Sequence, residues 1–568
     1  METTPLHAAS PGPVGDVSPA GSAGDMGNQP PPYGDVNLAA TDPALAGCAR
    51  GADGDALSAF GAQWGGADQL ALGRLANDNP PELHALDAQG RRCDIVEFHP
   101  AYHALMAQSV AAGLHCSTWD PPLGARPGSV AGTRGEASHA ARAARFYLVS
   151  QVEAGHVCPL TMTHAAPASL SAAPELLREF LPRIRSRTYD GRFLPFWEKC
   201  GLTIGMGMTE RQGGTDVRTN TTRAKPTGGM EYEITGAKWF FSAPMSDAFL
   251  VLAQAPGGLT CFLTPRFRPD GGVNGLRLVR LKRKLGNRSN ASSEVEFERA
   301  FAWRVGEEGR GIATILGMVQ LTRLDCAVSS AALMRAALAR ALHHAWHRSV
   351  FQRRLSDQPA MAMVLADLAL EAEAMAALAF RLAASFDDAA AGSAEEAARA
   401  RVLTPVVKLA VCKAAPAFIA EAMEVLGGNG YVEDSGLPRL YREAPVNAIW
   451  EGSGNVMALD LARVAAREPQ ALAAVTSSLA RQTAGLPGAA EAVESVAAAL
   501  GGNDREAMAR HAADRLAALA ATAALAESAP APVAEAYAAT RLATPRAMFG
   551  ANLLAGVRNL LLERTAAP

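Results

Sequence analysis

The segment EYEITGAKWFFSAPMSDAFLVLAQAPGGLTCFLT, residues 231–264, decides the fold. Short runs of β-branched, aromatic and aliphatic residues alternate in it with turn residues, which is typical of strands joined by tight turns. We predict strands at 231–235, 238–241, 249–254 and 259–264, and a further strand at 292–297. Together they indicate one compact, barrel-like β domain that spans residues 201–308.

Helical periodicity surrounds this β domain on both sides. It is visible at 98–111 and 138–151, and a Gly- and Pro-bearing loop is predicted between them at 119–135. After Gly309 it returns, and the longest periodic segments lie at 314–348, 360–387 and 394–426. Because helices and strands occur in separate runs, the pattern favours an α+β fold over a doubly wound parallel sheet.

The chain divides into five predicted parts. Residues 1–27 are rich in Pro, Gly, Ala and Ser, and they cannot bury enough apolar surface to offset their ordering entropy, so we predict a disordered tail. A mainly helical domain is predicted at 28–200, the β domain at 201–308 and a helical bundle at 309–465. An extra helical domain is predicted at 466–568.

Composition and charge narrow the class of protein. A chain of 568 residues with 49% hydrophobic content exceeds what one core usually holds. The net charge of -3 argues against a surface wholly committed to nucleic acid or to an anionic membrane. Eight scattered cysteines without CxxC pairs indicate reduced, buried thiols, and neither disulfides nor a metal site is expected. No long apolar run or targeting segment is apparent, so we expect a soluble cytoplasmic protein without a membrane partner.

Two segments around the first strands offer ligand-binding groups. In MGMTERQGGTD, residues 206–216, Gly213 and Gly214 allow backbone N–H groups to approach a ligand, and Thr209 and Thr215 offer hydroxyl donors. An ordinary glycine turn is the alternative. The second segment, KWFFS at 238–242, places aromatic rings and a hydroxyl on a strand, where half-buried packing is the alternative.

A third set of residues includes a single carboxylate. EVLGGNGY at 424–431 is followed by IWEGSGN at 449–455, in which Glu451 lies between a tryptophan and a Gly-Ser-Gly turn that opens a helical stretch. An aromatic, poorly hydrated setting would raise the pKa of this carboxyl group towards the range of a general base. An exposed glutamate in the first turn of a helix is the alternative.

The order and spacing of these segments resemble those of the acyl-CoA dehydrogenase family. The resemblance implies that fold, with FAD between the β domain and the helices. Segment 209–217 would bind the flavin pyrimidine and the pyrophosphate, and segment 240–242 would line the isoalloxazine. The residues that the resemblance assigns to FAD are Met206, Gly207, Met208, Thr209, Gly213, Gly214, Thr215, Phe240, Phe241, Ser242, Arg348, Phe351, Gly427, Gly428, Trp450, Gly452, Ser453, Gly454 and Asn455.

Further assignments rest on the same resemblance. The segment RSVF, residues 348–351, is similar to an Arg-x-x-Phe-Gly motif through which a neighbouring subunit holds FAD, which implies a dimer at least, and the family implies a homotetramer. Gln352 stands where that motif has glycine. Glu451 falls where most members carry the catalytic base, and Arg323 matches an arginine of the substrate site.

The implied reaction oxidises an acyl thioester at its α and β carbons, as a base removes the α-proton and a hydride passes to FAD. Some members take the base from the helix that here contains Thr322, which cannot serve, so Glu451 is the family-position carboxylate that remains. Gln320 replaces an aspartate near the CoA chain, a departure that bears on acyl-CoA binding, although Arg323 retains the family's arginine. Phe240 replaces a tryptophan beside the flavin, and Glu424 replaces a glutamine of the neighbouring-subunit FAD contact, so these two departures bear on FAD affinity and on the geometry between subunits.

A more specific resemblance is to a branch of the family that acts in the response to DNA alkylation damage. It rests on NQPPP at 28–32, NPPEL at 79–83, GMGMTE at 205–210, LGNRSNAS at 285–292 and PRLYRE at 438–443. In that branch the extra helical domain is implicated in binding double-stranded DNA. From residue 468 onward, however, eight arginines face nine acidic residues with no lysine, and a solvated bundle or a tetramer interface is the alternative.

Three functions therefore remain open from the sequence. The first is an FAD-containing protein of the alkylation response that binds DNA or destroys an alkylating agent, with at most weak acyl-CoA oxidation. The second is a catabolic acyl-CoA dehydrogenase that forms 2,3-enoyl-CoA. The third is a flavin-stabilised DNA-binding protein without turnover.

Overall fold

The computed structural model describes residues 27–49, 51–121, 135–544 and 555–565. The predicted tail at 1–27, except Gly27, and most of the predicted loop at 119–135 lie outside these ranges. The N-terminal part is helical with one hairpin. Its elements are α1 Pro43–Cys48, α2 Gly54–Trp64, α3 Ala67–Asp78, β1 Glu82–Leu86, β2 Arg92–Glu97, α4 Pro100–Ala111, α5 His139–Val152, α6 Val157–Leu170 and α7 Pro174–Ile184.

The antiparallel hairpin β1–β2 is absent from the sequence prediction. Its strands are short and alternate between exposed and partly buried residues, which leaves a weak pattern. Val96 is buried and joins the core of the β domain, and its backbone N–H donates to the Met245 sulfur at 3.3 Å. The hairpin is therefore held by the β domain that follows it in the chain.

The central domain is a mixed sheet that closes on itself. Its strands are β3 Ile204–Gly207, β4 Arg223–Gly228, β5 Glu231–Ser242, β6 Ala248–Ala255, β7 Gly258–Pro265, β8 Leu276–Leu281 and β9 Ser292–Val305. β5 pairs with β9, β9 with β7, β7 with β6, and β6 with β3 and β4, which pair back to β5. This closure confirms the barrel-like prediction. The two runs predicted at 231–235 and 238–241 are one strand, because Gly236 carries the chain through a register shift with φ +150°.

Long helices return after the barrel, as the periodicity predicts. They are α8 Gly311–His347, α9 Pro359–Ala390, α10 Ala394–Val425, α11 Leu437–Asn447 and α12 Gly454–Arg467, with a small hairpin of β10 Ser349–Val350 and β11 Arg353–Arg354. The extension adds α13 Pro469–Gln482, α14 Ala489–Gly501, α15 Arg505–Ser528, α16 Ala531–Tyr537 and α17 Arg558–Thr565. One hydrophobic core joins α8, α9 and α10 to both the N-terminal helices and the extension.

Two of these helices are long and apolar enough to cross a membrane when length and composition alone are considered. They are Gly311–His347 and Ala394–Val425, and 67% and 72% of their apolar windows is buried inside the protein. Both helices contain charged residues, among them Arg323 and Lys408. Burial on this scale is that of the core helices of a helical bundle.

The cysteines also differ in part from the prediction. Six of the eight are buried, but Cys93 is half-buried and Cys200 is exposed. All eight are free thiols. Cys200 lies in the connection between α7 and β3.

Candidate active site

Two buried cations hold the loop that carries Glu451. Lys408 Nζ, on α10, donates to the carbonyl oxygens of Trp450 at 2.8 Å and Gly452 at 2.5 Å. Arg323 Nε, on α8, donates to the carbonyl oxygen of Glu451 at 3.1 Å. Three consecutive carbonyl groups are thus satisfied, and Glu451 itself has φ +58°, a left-handed conformation that costs energy for a residue with a side chain. The surrounding bonds therefore fix the direction of this one carboxylate.

The Glu451 carboxyl group has the setting that the sequence predicts for a base. Burial raises its pKa, and a hydrogen bond from Thr322 together with the charges of Arg323 and Lys408 opposes that rise. Thr322 Oγ1 donates to Glu451 Oε2 at 2.7 Å. Thr322 is therefore no substitute base, but its hydrogen bond orients the Glu451 carboxylate.

Arg323 lies beside the loop that carries Glu451, but its guanidinium is already paired with other residues of the protein. Besides its bond to Glu451, its guanidinium forms an ion pair with Asp460 of α12 at 2.9 Å, and its side chain is buried. Both partners make it a support of the Glu451 loop. A direct contact of Arg323 with substrate stays a prediction.

The loop after β3 lies against β5 in a conformation that needs its glycines. Trp239 N donates to Thr209 O at 2.8 Å. A Cβ added at Gly214 would lie 2.4 Å from the Thr209 hydroxyl oxygen, so only glycine fits beside that side chain. Gly213 has φ +132° and open space around a built Cβ, while Thr215 is exposed. Hydroxyl and backbone donors are thus presented on an open surface, as a phosphate-bearing ligand requires.

Glu210, which the sequence reasoning did not single out, anchors this loop. Its buried carboxylate accepts from Thr221 N at 2.7 Å, Thr222 N at 3.2 Å and Lys238 Nζ at 2.8 Å. Burial acts to raise its pKa, but the hydrogen bonds and the Lys238 charge outweigh burial and lower the pKa to about 2. Glu210 and Lys238 therefore form a charged, buried pair that ties the loop to strand β5.

Successive side chains of β5, the strand assigned to the isoalloxazine, point to opposite faces of the sheet. Phe240 is 50% exposed, and Met206 pairs with Ser242 across β3 and β5. Phe241 is a correction, because its ring is fully buried in the barrel, against Phe249 with ring centroids 4.5 Å apart. Since successive side chains on a strand point to opposite faces, only the backbone of Phe241 can face a ligand on the Phe240 side.

The Arg348–Phe351 segment forms a hairpin that a segment from the N-terminal part holds in place. Phe351 and Gln352 form its turn with φ +49° and +64°, so the glycine of the family motif is replaced at a strained position. Asn28 accepts from Ser349 N at 2.6 Å, donates to Ser349 O at 2.8 Å, and accepts through its own carbonyl from Arg348 Nη1 at 2.9 Å. The NQPPP segment thus positions the predicted cross-subunit FAD contact.

The remaining assigned residues lie in two short segments. Gly427 has φ +59°, and a Cβ at Gly427 or Gly428 would meet open space. Asn429, in the same turn, donates to Gln29 of the NQPPP segment at 3.1 Å. In the other segment Gly454 is the buried first residue of α12, while Ser453 and Asn455 are exposed.

A shared hydrophobic cluster connects the flavin loop to the base-bearing loop. Met206, Met208 and Trp450 all pack against the core that lies between the barrel and helices α6 and α8. The donors at 209–215, the open space beside Gly213 and the exposed Phe240 ring fit an FAD placed in this region. A separate cavity of about 290 Å³, lined by Tyr102 and Lys199 among others, includes none of the predicted site residues, and we assign it no role in the reaction.

The fold and this site are those of an acyl-CoA dehydrogenase-type flavoenzyme, and comparisons with known proteins agree. Three family models match: the adaptive response protein AidB N-terminal domain at 28–191, the acyl-CoA dehydrogenase middle domain at 205–300 and the acyl-CoA dehydrogenase C-terminal domain at 309–466. The acyl-CoA dehydrogenase AidB of Escherichia coli strain K12 is 52% identical over 442 residues, 77% of this chain and 79% of the relative. The chain belongs to the acyl-CoA dehydrogenase family.

Two solved structures match this chain over more of its length than the family models do. Caenorhabditis elegans ACDH-11 in complex with C11-CoA has a TM-score of 0.79 and 28% identity, and the match covers 93% of this chain and 95% of that chain. The apo form of Bd2924 has a TM-score of 0.77 and 28% identity, with coverage of 88% and 99%. The cofactor of the family is FAD, and this chain is an FAD-dependent oxidoreductase that acts on CH–CH groups.

Proposed function

We propose that the protein oxidises an acyl-CoA to its 2,3-enoyl-CoA and that Glu451 removes the α-proton. The observation that carries this proposal is the geometry of Glu451, a single carboxylate held by Thr322 and by two buried cations. Such a carboxylate is oriented before substrate arrives, which lowers the cost of reaching the transition state.

The residues of the chain divide the work around this proton transfer. Burial makes Glu451 a stronger base than an exposed glutamate, while the charges of Arg323 and Lys408 favour its ionised form. Thr322 directs one carboxylate oxygen through its hydrogen bond, which leaves the other, Oε1, to accept the α-proton. FAD, held by residues 206–215 and 240–242, would supply the hydride acceptor for the β-carbon.

The substrate class follows from the family, and one departure bears on it. Gln320 replaces the aspartate near the CoA chain, and its amide oxygen is buried without a hydrogen-bond partner among the described residues. An acceptor in that state suits a donor from a bound ligand. The C11-CoA bound by the C. elegans relative supports a medium-chain acyl-CoA.

The proposal is tested by anaerobic flavin reduction with short-, medium- and long-chain acyl-CoAs. We expect the flavin absorbance to bleach rapidly with at least one chain length, and Glu451→Gln to slow that bleaching by about 10²- to 10⁴-fold, the usual value of a general base. Glu491→Gln, an exposed carboxylate of the extension outside every segment assigned to FAD, is the matched control. Bleaching that Glu451→Gln leaves unchanged would remove Glu451 from the reaction.

A second function, in the response to DNA alkylation damage, is favoured by one comparison. Residues 28–191 match the adaptive response protein AidB N-terminal domain. We propose that duplex DNA, or a small alkylating agent, is a ligand of the protein in that role. A duplex affinity that falls steeply with salt and survives Glu451→Gln would support it, and no measurable duplex binding at low salt would reject its DNA part.

The charges of the extension limit how DNA could bind. Arg541 is buried and pairs with Asp367 at 2.9 Å and Glu371 at 3.0 Å, and Arg564 pairs with Glu373. Arg515 donates to a backbone carbonyl of the same extension. Because these arginines stabilise the protein itself, a phosphate-binding face would have to use other cations.

We further propose that the protein is a cytoplasmic homotetramer. Phe351 is 93% exposed and Tyr431 is 85% exposed, both within segments assigned to FAD contact across subunits. Large apolar side chains exposed side by side with a functional segment are typical of an interaction surface. Light scattering of the purified protein, compared with Phe351→Ser, tests the assembly. The eight free thiols support a reducing compartment.

A further inference from the structure

Helix α15 of the extension approaches α12 closely through small residues. Ala509, on α15, is buried against Ala458 and Ala462, on α12. Because alanine has the smallest side chain after glycine, the two helix backbones can come near each other at this point. The next residue along α15 is Arg510, which therefore reaches the beginning of α12.

Arg510 contacts the segment that the resemblance assigns to FAD. Its Nη1 donates to Asn455 Oδ1 at 2.8 Å. A Cβ added at Gly454 would lie 3.7 Å from the same Arg510 nitrogen. The arginine thus lies over the first two residues of α12, beside Ser453.

The partners of Arg510 distinguish it from other arginines of the extension. Arg541 and Arg564 pair with carboxylates of α9. Arg510, in contrast, has a neutral amide as its partner, and within the described ranges no ion pair to it is found. Its positive charge therefore remains available at the edge of the cofactor segment.

The bond also fixes which atoms Asn455 offers to a ligand. An asparagine amide has one acceptor oxygen and two N–H donors. With Oδ1 accepting from Arg510, the Nδ2 donors are the groups left to bind an acceptor. FAD presents such acceptors in its hydroxyl and phosphate oxygens.

We propose that Arg510 is a positioning residue of the FAD site: it orients the Asn455 amide towards the cofactor, and helix α15 is a wall of that site. This inference rests on the proposed function, in which FAD occupies the region. It assigns to the extension a part in cofactor binding that does not depend on DNA.

The test measures FAD affinity of the full-length apo protein by quenching of flavin fluorescence. We expect Arg510→Gln and Asn455→Ala each to weaken FAD binding about 10-fold, the effect of one charge-assisted hydrogen bond. If Arg510 acts through Asn455, the double variant loses no more affinity than either single variant. Arg481→Gln, which changes another exposed arginine of the extension, should leave the affinity at the wild-type value.

Each outcome decides the inference. Wild-type FAD affinity in Arg510→Gln, or additive losses in the double variant, would overturn it. If Arg510→Gln lowers the melting temperature of the apo protein, Arg510→Met, which keeps an apolar side chain of similar length but has no donor, takes its place, and wild-type FAD affinity in that variant would again overturn the inference. A wild-type protein that binds no FAD would instead reject the proposed function.

Discussion

Replacing Lys408 with methionine should damage both the helical bundle and the reaction. The ammonium group lies on α10 and is buried, and it donates to the carbonyl oxygens on either side of Glu451 at 2.8 and 2.5 Å. Methionine fills a similar volume but cannot donate, so two carbonyl groups lose their partner.

The expected magnitude follows from these two bonds. A hydrogen bond from a charged donor contributes about 1.5–3 kcal/mol, and removal of the buried charge offsets part of the loss, so we expect the free energy of unfolding to fall by about 2–4 kcal/mol. The freed loop would also misplace the Glu451 carboxylate, and a displacement of about 1 Å costs on the order of 10²-fold in rate.

Two assays check this prediction in parallel. Urea unfolding followed by circular dichroism measures stability, and anaerobic flavin reduction by acyl-CoA measures rate. Lys413→Met is the matched control, because Lys413 lies on the same helix but is exposed. If Lys408→Met were as stable and as fast as wild type, the clamp on the Glu451 loop would have no energetic role and the reasoning would be refuted.

Three further predictions concern single residues. Burial raises the pKa of Glu451 in the folded state, so ionisation of this carboxyl group destabilises the fold once the pH exceeds its pKa in the unfolded state. Glu451→Gln, which stays uncharged, should therefore be more stable than wild type at neutral pH and equally stable in acid. Melting temperatures measured across pH will test this. Gln352→Gly should stabilise the hairpin by about 1 kcal/mol, because Gln352 has φ +64°, and an unchanged melting temperature would contradict this. Asn28→Ala should weaken FAD binding by releasing Arg348, measured by flavin fluorescence, whereas Gln89→Ala on the exposed hairpin should not.

Much of the architecture could be predicted because its signals are local. The barrel strands alternate apolar residues with turns, and the long helices carry a clear period, so both appear in the sequence. The hairpin β1–β2 does not, because its strands are stabilised by Val96 packing into a distant domain. The family resemblance assigns Phe241 to the flavin together with its neighbours Phe240 and Ser242, whereas strand alternation places its ring in the barrel core.

The residues that hold the Glu451 loop are harder to predict from the sequence than Glu451 itself. Glu451 stands in a recognisable motif, whereas Lys408 is 42 positions from its partner Trp450 and Thr322 is 129 positions from Glu451. Lys408 lies within the apolar run of α10, which is a local signal of a buried cation but does not identify its partners. The bond from Arg510 to Asn455 depends on the packing of two helices, which no pattern along the chain describes.

The most direct test of the central claim uses an acyl-CoA deuterated at its α-carbon, compared with the undeuterated compound in anaerobic flavin reduction. If Glu451 removes the α-proton, deuterium should slow flavin reduction in the wild type. Flavin reduction in Glu451→Gln should be slow with either compound. A wild-type rate that deuterium leaves unchanged, together with a Glu451→Gln variant that reduces at the wild-type rate, would contradict the account.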